Sequence, residues 1–296
     1  MTTAAARFRR LLAEPDMIVL PGAFDALSAR LIEQAGFSAL VMGGYSIAAS
    51  RLGQPDVGYL GMSEMAAAVK TVADAVAIPV LADGDTGYGN ALSVIRTVRE
   101  YERMGAAGII LEDQVWPKRC GHMQGKAVIP TEEHAGKIAA ACDARRDPDF
   151  VVVARTDARA DLGLEVALER ARQYRTAGAD VLFIEAPQNL GELALIGQAF
   201  PEVPLLANMV EGGATPLLTA AELKELGFKL VLFACTPIYT AAAALRSVLA
   251  HIHRTGSSRD YPGLHMEFAD FNQMIGLPDF RELEARYRAG LAVKAN

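Results

Sequence analysis

Gly108-Ile109-Ile110-Leu111-Glu112-Asp113 reads as a short apolar strand that ends on two acids. Its apolar residues are continuous rather than alternating, so both faces are expected to be buried, as in a parallel sheet. Similar runs stand at Met17–Leu20, Ala39–Met42, Pro79–Ala82, Phe150–Ala154, Val181–Ile184, Pro204–Ala207 and Leu230–Phe233. Helical stretches such as Leu92–Met104 and Leu164–Ala177 lie between them. Gly36, Gly105, Gly178 and Gly227 each stand shortly before a strand, where glycine supplies a left-handed helix exit at little cost. Eight such βα units predict an α/β fold of the (β/α)8 TIM-barrel type. An open doubly wound sheet is the alternative, because a sequence pattern does not show closure.

The 296 residues suit one barrel, and a hydrophobic share of 51% supplies a large core. Net charge is −6 with no basic tail or stripe, which excludes nucleic acid as an expected partner. No apolar stretch approaches the ~18 residues that span a membrane. Met1 to Arg10 lacks an apolar signal core. Cys120, Cys142 and Cys235 are odd in number and widely spaced. Reduced thiols in a cytoplasmic protein are therefore expected, with neither disulfides nor structural zinc. Cys142 and Cys235 read as core residues. After His253 the rhythm changes. Thr255–Asp260 is a Gly/Ser linker, and Arg281–Ala289 is an amphipathic helix with Leu283 and Tyr287 on one face. Residues 1–254 are expected to form the catalytic barrel. Residues 255–296 are expected to carry oligomer contacts, since the extra helix must bury its apolar face somewhere.

The strand ends carry the chemistry. They read Gly43-Gly44-Tyr45-Ser46, Asp83-Gly84-Asp85, Glu112-Asp113, Arg155-Thr156-Asp157, Glu185, Asn208 and Thr236. In a barrel these converge on one rim, where active sites sit. Asp83, Asp85, Glu112 and Glu185 offer hard oxygens that suit Mg²⁺ or Mn²⁺. Helix caps and surface ion pairs are the plainer reading, with Asp85 capping the next helix. Arg155 offers a planar fork for a carboxylate, or else pairs with Glu185 or Asp157. Gly43-Gly44 and Gly212-Gly213 are expected to present backbone N–H groups to an anion. No lysine stands at a strand end, so a Schiff base has no candidate and a metal-assisted enolate is the more natural route.

Lys118-Arg119-Cys120-Gly121-His122 follows the fourth strand. Two cations and a histidine crowd one thiol, which favours the thiolate relative to a free cysteine's pKa of ~8.5. The plainer reading is a basic surface turn. The loop from Asp113 to Pro130 has 18 residues without a helical pattern, and loops that long are usually functional or disordered. Gly121 and Gly125 are expected to let it act as a lid that brings Cys120 down as a proton donor.

These segments together resemble the isocitrate lyase/phosphoenolpyruvate mutase superfamily. The resemblance rests on Gly53-Gln54-Pro55-Asp56, Asp83-Gly84-Asp85, Glu112-Asp113-Gln114, Lys118–His122, Ala154-Arg155-Thr156-Asp157 and Asn208–Gly213. It implies a Mg²⁺-dependent barrel that assembles as a homotetramer with exchanged C-terminal helices. Asp83 looks like the direct metal ligand, and Asp56, Asp85 and Glu112 look like water-mediated ones. Gly44, Tyr45 and Ser46 look like the oxo-acid carboxylate pocket. Arg155, Glu185, Asn208, Gly121 and His122 look like substrate contacts, and Cys120 looks like the acid that protonates an enolate. Gly84 departs from the alanine usual between the two aspartates. Methylisocitrate lyases carry arginines where this chain has Met123 and Ala242, and those arginines help hold a tricarboxylate. The chain therefore looks closer to members that cleave a 2,3-dimethylmalate-type dicarboxylate. It is similarly close to carboxyphosphonoenolpyruvate-type phosphonomutases. A non-catalytic oxo-acid-binding protein is the reading from a different class. A base for the hydroxyl proton is not secured by the motifs, and Tyr45 is the candidate.

Overall fold

The computed structural model describes residues 2–123 and 125–293. Its strands are β1 Ile18–Ala23, β2 Leu40–Met42, β3 Val80–Asp83, β4 Gly108–Glu112, β5 Val151–Thr156, β6 Val181–Ile184, β7 Leu206–Asn208 and β8 Leu230–Phe233. From β1 to β6 each strand pairs in parallel with the next, β7 pairs with β8, and β8 pairs with β1. A parallel bridge between Leu182 and Leu205 joins β6 to the chain entering β7. The ring is thus closed, and the open-sheet alternative falls.

The expected runs and the strands agree within a few residues. The largest difference is at β1, which continues through Pro21-Gly22 to Ala23. Gly22 is required there: a Cβ would overlap the Ala234 carbonyl just past β8. The helices expected at Leu92–Met104 and Leu164–Ala177 are Ala91–Arg103 and Leu164–Thr176.

Two apolar layers explain why the strands read as unbroken runs. Leu20, Val41, Leu81, Ile110, Val153, Phe183, Leu206 and Leu232 form one buried cluster. Met42, Ala82, Ile109, Leu111, Val152, Ala154 and Leu182 belong to the other, together with Val69, Val98 and Ile138 of the surrounding helices. Alternate residues along each strand therefore enter different layers, and both layers exclude water. A helix that the sequence pattern did not reveal, Ala4–Ala13, sends fully buried Phe8 into the first cluster.

The chain divides into two compact units, Met1–Tyr239 and Thr240–Asn296. The first contains all eight strands. From Thr240 onward the described chain is helical, with the end of Thr236–Thr255 followed by Phe268–Met274 and Leu277–Val293. The expected helix Arg281–Ala289 is thus part of a longer one. Phe268–Met274 was not legible from its short pattern. Leu283 and Tyr287 are exposed.

One buried histidine makes the fold's pH response testable. His134, in the helix Thr131–Ala144, is fully buried and packs edge-on against Tyr174. Burial, with Lys137 and Arg170 adding repulsion, lowers its pKa from 6.5 to about 3. The unfolded chain thus takes up this proton below pH ~6.5 while the folded chain does not. Stability should therefore fall as pH drops from 6.5 toward 3, by up to about 1.4 kcal/mol per pH unit from this group. His134→Phe should flatten that slope in denaturant melts. An equal slope in both proteins would contradict the assignment.

Candidate active site

Strand ends and the loop after β4 build one pocket. A cavity of about 60 Å³ lies between Asp83, Glu112, Arg155, Glu185 and Asn208 of the strand ends and Lys118–His122 of the loop. Tyr45 and Ser46 also line it, from the first turn of the helix Gly44–Leu52.

Acids dominate the rim, and each is held by a definite partner. Asp83 accepts the Gly44 N–H at 2.9 Å and the Asp85 N–H at 3.0 Å. Asp56 and Asp85 are buried and pair with Lys118 Nζ at 2.7 and 2.6 Å. Burial pushes the Asp85 carboxyl up to about 6 even with Lys118 beside it. Burial also lifts Glu112 well above the usual carboxylate range, although Arg155 opposes the shift. Asp85 sits in a turn at φ 46° and caps no helix; Asn90 caps the one that follows.

Arg155 is committed more tightly than expected. Its Nε and Nη2 bind both oxygens of Asp157, at 2.9 and 3.0 Å. Glu112 lies 3.4 Å and Glu185 3.8 Å from Nε. The fork therefore faces Asp157, while its charge is shared by the acids of the cavity. Burial opposes ionisation of Glu185, but Arg155 and the His122 ring together hold its carboxyl below the usual range. His122 Nδ1 accepts the Ala214 N–H at 3.1 Å, so Nε2 carries the hydrogen facing Glu185 Oε1 at 2.9 Å. Asn208 Nδ2 reaches the same Glu185 oxygen at 3.1 Å.

Several expectations are corrected. Gly44 N–H is given to Asp83, and Gly213 N–H to the Val210 carbonyl at 3.0 Å. Neither glycine pair therefore stands as the open anion cradle expected of it. The carboxylates do not crowd around a single point: among the described residues, no three His, Cys, Asp or Glu side chains form a direct metal-binding group. The ammonium of Lys118 stands among them instead. Lys118, expected as one of the cations crowding Cys120 or as part of a basic surface turn, is only 3% exposed. Cys142 is half-buried and Cys235 is buried.

Cys120 is the clearest reversal. The adjacent cations suggested a thiolate. Burial instead pushes the thiol up to about 11, outweighing the His122 backbone N–H and Arg155. The Arg119 guanidinium lies beside Gly125, and its backbone is clamped by the Gln114 side chain through bonds of 2.8 and 3.0 Å. Gly121 is the tightest point of the loop. A Cβ there would stand 2.5 Å from Glu185 Cγ and closer still to Arg155 Nη2.

These donors fit a Mg²⁺ ion. The oxygens are hard, Glu112 Oε1 is buried without a hydrogen-bond partner, and Asp83 faces the cavity. Mg²⁺ keeps several waters and takes only one or two carboxylates directly. The absence of a three-ligand cluster is therefore compatible with one direct ligand and water-bridged neighbours.

Residues 8–253 match the family model described as phosphoenolpyruvate phosphomutase. The chain belongs to that family and is an enzyme of the isocitrate lyase/PEP mutase superfamily. It is 47% identical to 2,3-dimethylmalate lyase of Eubacterium barkeri over 97% of this chain and 99% of that one. It is 50% identical to the chloroplastic carboxyvinyl-carboxyphosphonate phosphorylmutase of Arabidopsis thaliana, over 95% of this chain and 84% of that one. A solved phosphonopyruvate hydrolase in complex with oxalate and Mg²⁺ superposes with a TM-score of 0.87 at 35% identity, covering 96% of this chain and 99% of that one. The described residues contain no helix long and apolar enough to cross a membrane.

The raised thiol pKa predicts how Cys120 reacts. With ionisation centred at about 11, the thiol stays protonated across neutral pH. Site-resolved iodoacetamide labelling should then rise about tenfold per pH unit with no plateau below pH ~10. A plateau reached by pH ~8.5 would restore the thiolate reading.

Proposed function

We propose that this enzyme is a Mg²⁺-dependent carbon–carbon lyase that cleaves a substituted 2-hydroxy dicarboxylate, of the 2,3-dimethylmalate or 2-alkylmalate type. The products are pyruvate or a related oxo acid and a carboxylate. The observation that carries this reading is a thiol, Cys120, kept protonated in a cavity walled by Glu112, Arg155 and Glu185. A carbanion left by bond cleavage needs such an acid. Similarity to the dimethylmalate lyase supports the substrate class.

Asp83 would hold the metal directly, and Asp56, Asp85 and Glu112 would hold it through water. When bound, the ion supplies Lewis-acid polarisation of the substrate's carboxylate and 2-oxygen. The residues of the chain do the rest. Ser46 and Tyr45, at the start of the helix Gly44–Leu52, face the carboxylate end, where the helix N-terminus favours negative charge. Arg155, through its charge, and Asn208 and His122, through their hydrogen bonds to Glu185, set the polar wall opposite. Tyr45, whose oxygen accepts from the Tyr239 hydroxyl at 3.2 Å, would act as the base: as the phenolate it takes the 2-hydroxyl proton and becomes the phenol. The oxygen's electron pair forms the carbonyl as the C2–C3 bond breaks, and the released pair at C3 takes the proton of Cys120. Solvent then restores both groups. Gly121 lets the loop backbone approach Arg155 closely enough for this geometry. The C-terminal helices, residues 255–296, are assigned to contacts between subunits of a homotetramer, where exposed Leu283 and Tyr287 would be covered.

A second reading is a phosphonomutase, favoured by the 50% identity to the phosphorylmutase. Pyruvate release with Mg²⁺, measured across malate, 2-alkylmalates, isocitrate and methylisocitrate, separates the two. Turnover should centre on an alkylmalate, and Cys120→Ser should lower kcat roughly 10²–10⁴-fold. Full activity in Cys120→Ser would overturn the role of Cys120, and turnover of a phosphonate with none of any malate would overturn the lyase assignment.

A further inference from the structure

We propose that Lys126 is a positioning residue that ties the Cys120 loop to the end of β5. Its side chain is almost fully buried, and its Nζ donates to Asp157 Oδ1 at 2.8 Å and to the Gly121 carbonyl. Gly121 directly follows Cys120 in the chain. Asp157 is itself fully buried and binds Arg155 with both oxygens. One ammonium therefore joins the loop backbone next to the thiol to the arginine that walls the cavity.

Charge neutralisation alone does not account for this lysine. Arg155 already gives Asp157 a bidentate partner. Burying a second cation is costly unless it makes bonds that the first does not. The bond particular to Lys126 is the one to the Gly121 carbonyl. That bond acts where clearance is least, since Gly121 has no room for even a Cβ against Arg155 and Glu185.

The other restraints on the loop differ in kind. Lys118 is held by Asp56 and Asp85, and His122 by Glu185 and the Ala214 N–H, while Gln114 clamps the Arg119 backbone on the side of Cys120 away from Gly121. Asp56 and Glu185 line the cavity and are shared with whatever it binds. Lys126 and Asp157 do not line it, so neither side chain is given up to what the cavity binds. Held this way, Cys120 is half-buried and faces the cavity.

The test is site-resolved alkylation of Cys120 by iodoacetamide in the full-length protein without substrate, with Cys142 as internal reference. Lys126→Met should speed Cys120 labelling by roughly tenfold or more, as expected for loss of a charge-assisted restraint. Cys142 labelling should stay unchanged. Lys126→Arg, which keeps a donor for both oxygens, should stay within about threefold of the parent protein. Lys126→Gln, read the same way, carries the comparison where the methionine variant does not fold. In turnover, Lys126→Met should lower kcat more than it changes KM. The proposal is overturned by Cys120 labelling at the parent rate, by a parallel rise at Cys142, or by Lys126→Arg labelling as fast as Lys126→Met. The effect on turnover rests on the reading of Cys120 as the acid. The labelling does not, so a wrong reaction and a wrong role for Lys126 give different results.

Discussion

The bidentate pair between Arg155 and Asp157 is the interaction on which the rim depends. Asp56, Asp85, Glu112, Asp113, Asp157 and Glu185 are all buried at or near the strand ends. Acids this close and this dry would ordinarily take up protons. Arg155 and Lys126 hold Asp157 well below the usual range, although burial opposes them. Behind it, Asp113 accepts from the Asp157 N–H, Thr156, Tyr174 and Arg170 at 2.7–3.0 Å. The end of β5 is thereby fixed from both sides. Of the acids facing the cavity, burial leaves Glu112 raised despite Arg155, whereas Arg155 and His122 together leave Glu185 lowered.

This division suits a cleavage that needs both charge and a proton. Lys118 and Arg155 spread positive charge toward substrate carboxylates and toward the developing enolate. The loop meanwhile covers Cys120 enough to keep its proton. A thiolate in the same place could not donate. The burial that contradicts the simplest expectation from Lys118-Arg119-Cys120 is thus what equips the thiol for the proposed step.

Much of this was legible in the sequence, for physical reasons that can be named. β4 and β5 were readable because residues such as Val152 and Val153 enter different apolar layers, leaving no polar face to blur the run. The left-handed exits at Gly36, Gly105, Gly178 and Gly227 follow from a backbone angle that glycine alone adopts cheaply, and all four have positive φ. The helices Ala4–Ala13 and Phe268–Met274 lay outside the repeat and had no rhythm to reveal them. Within the site, the convergence of Asp83, Glu112, Arg155, Glu185 and Asn208 followed from closure of the barrel. The partners did not. Lys118 among the acids, Asp157 in the Arg155 fork and the thiol's burial all depend on how an 18-residue loop seats, and loop seating has no period to read.

The central claim is that Cys120 delivers a proton to one face of a carbanion. Turnover of a 2-alkylmalate with a substituted C3 in D₂O tests it most directly, by NMR of the carboxylate product. The account predicts one deuterium at the carbon released from C2, in a single configuration, with product formation nearly abolished in Cys120→Ala. Deuterium in both configurations, or unchanged stereospecific labelling at full rate in Cys120→Ala, would contradict it.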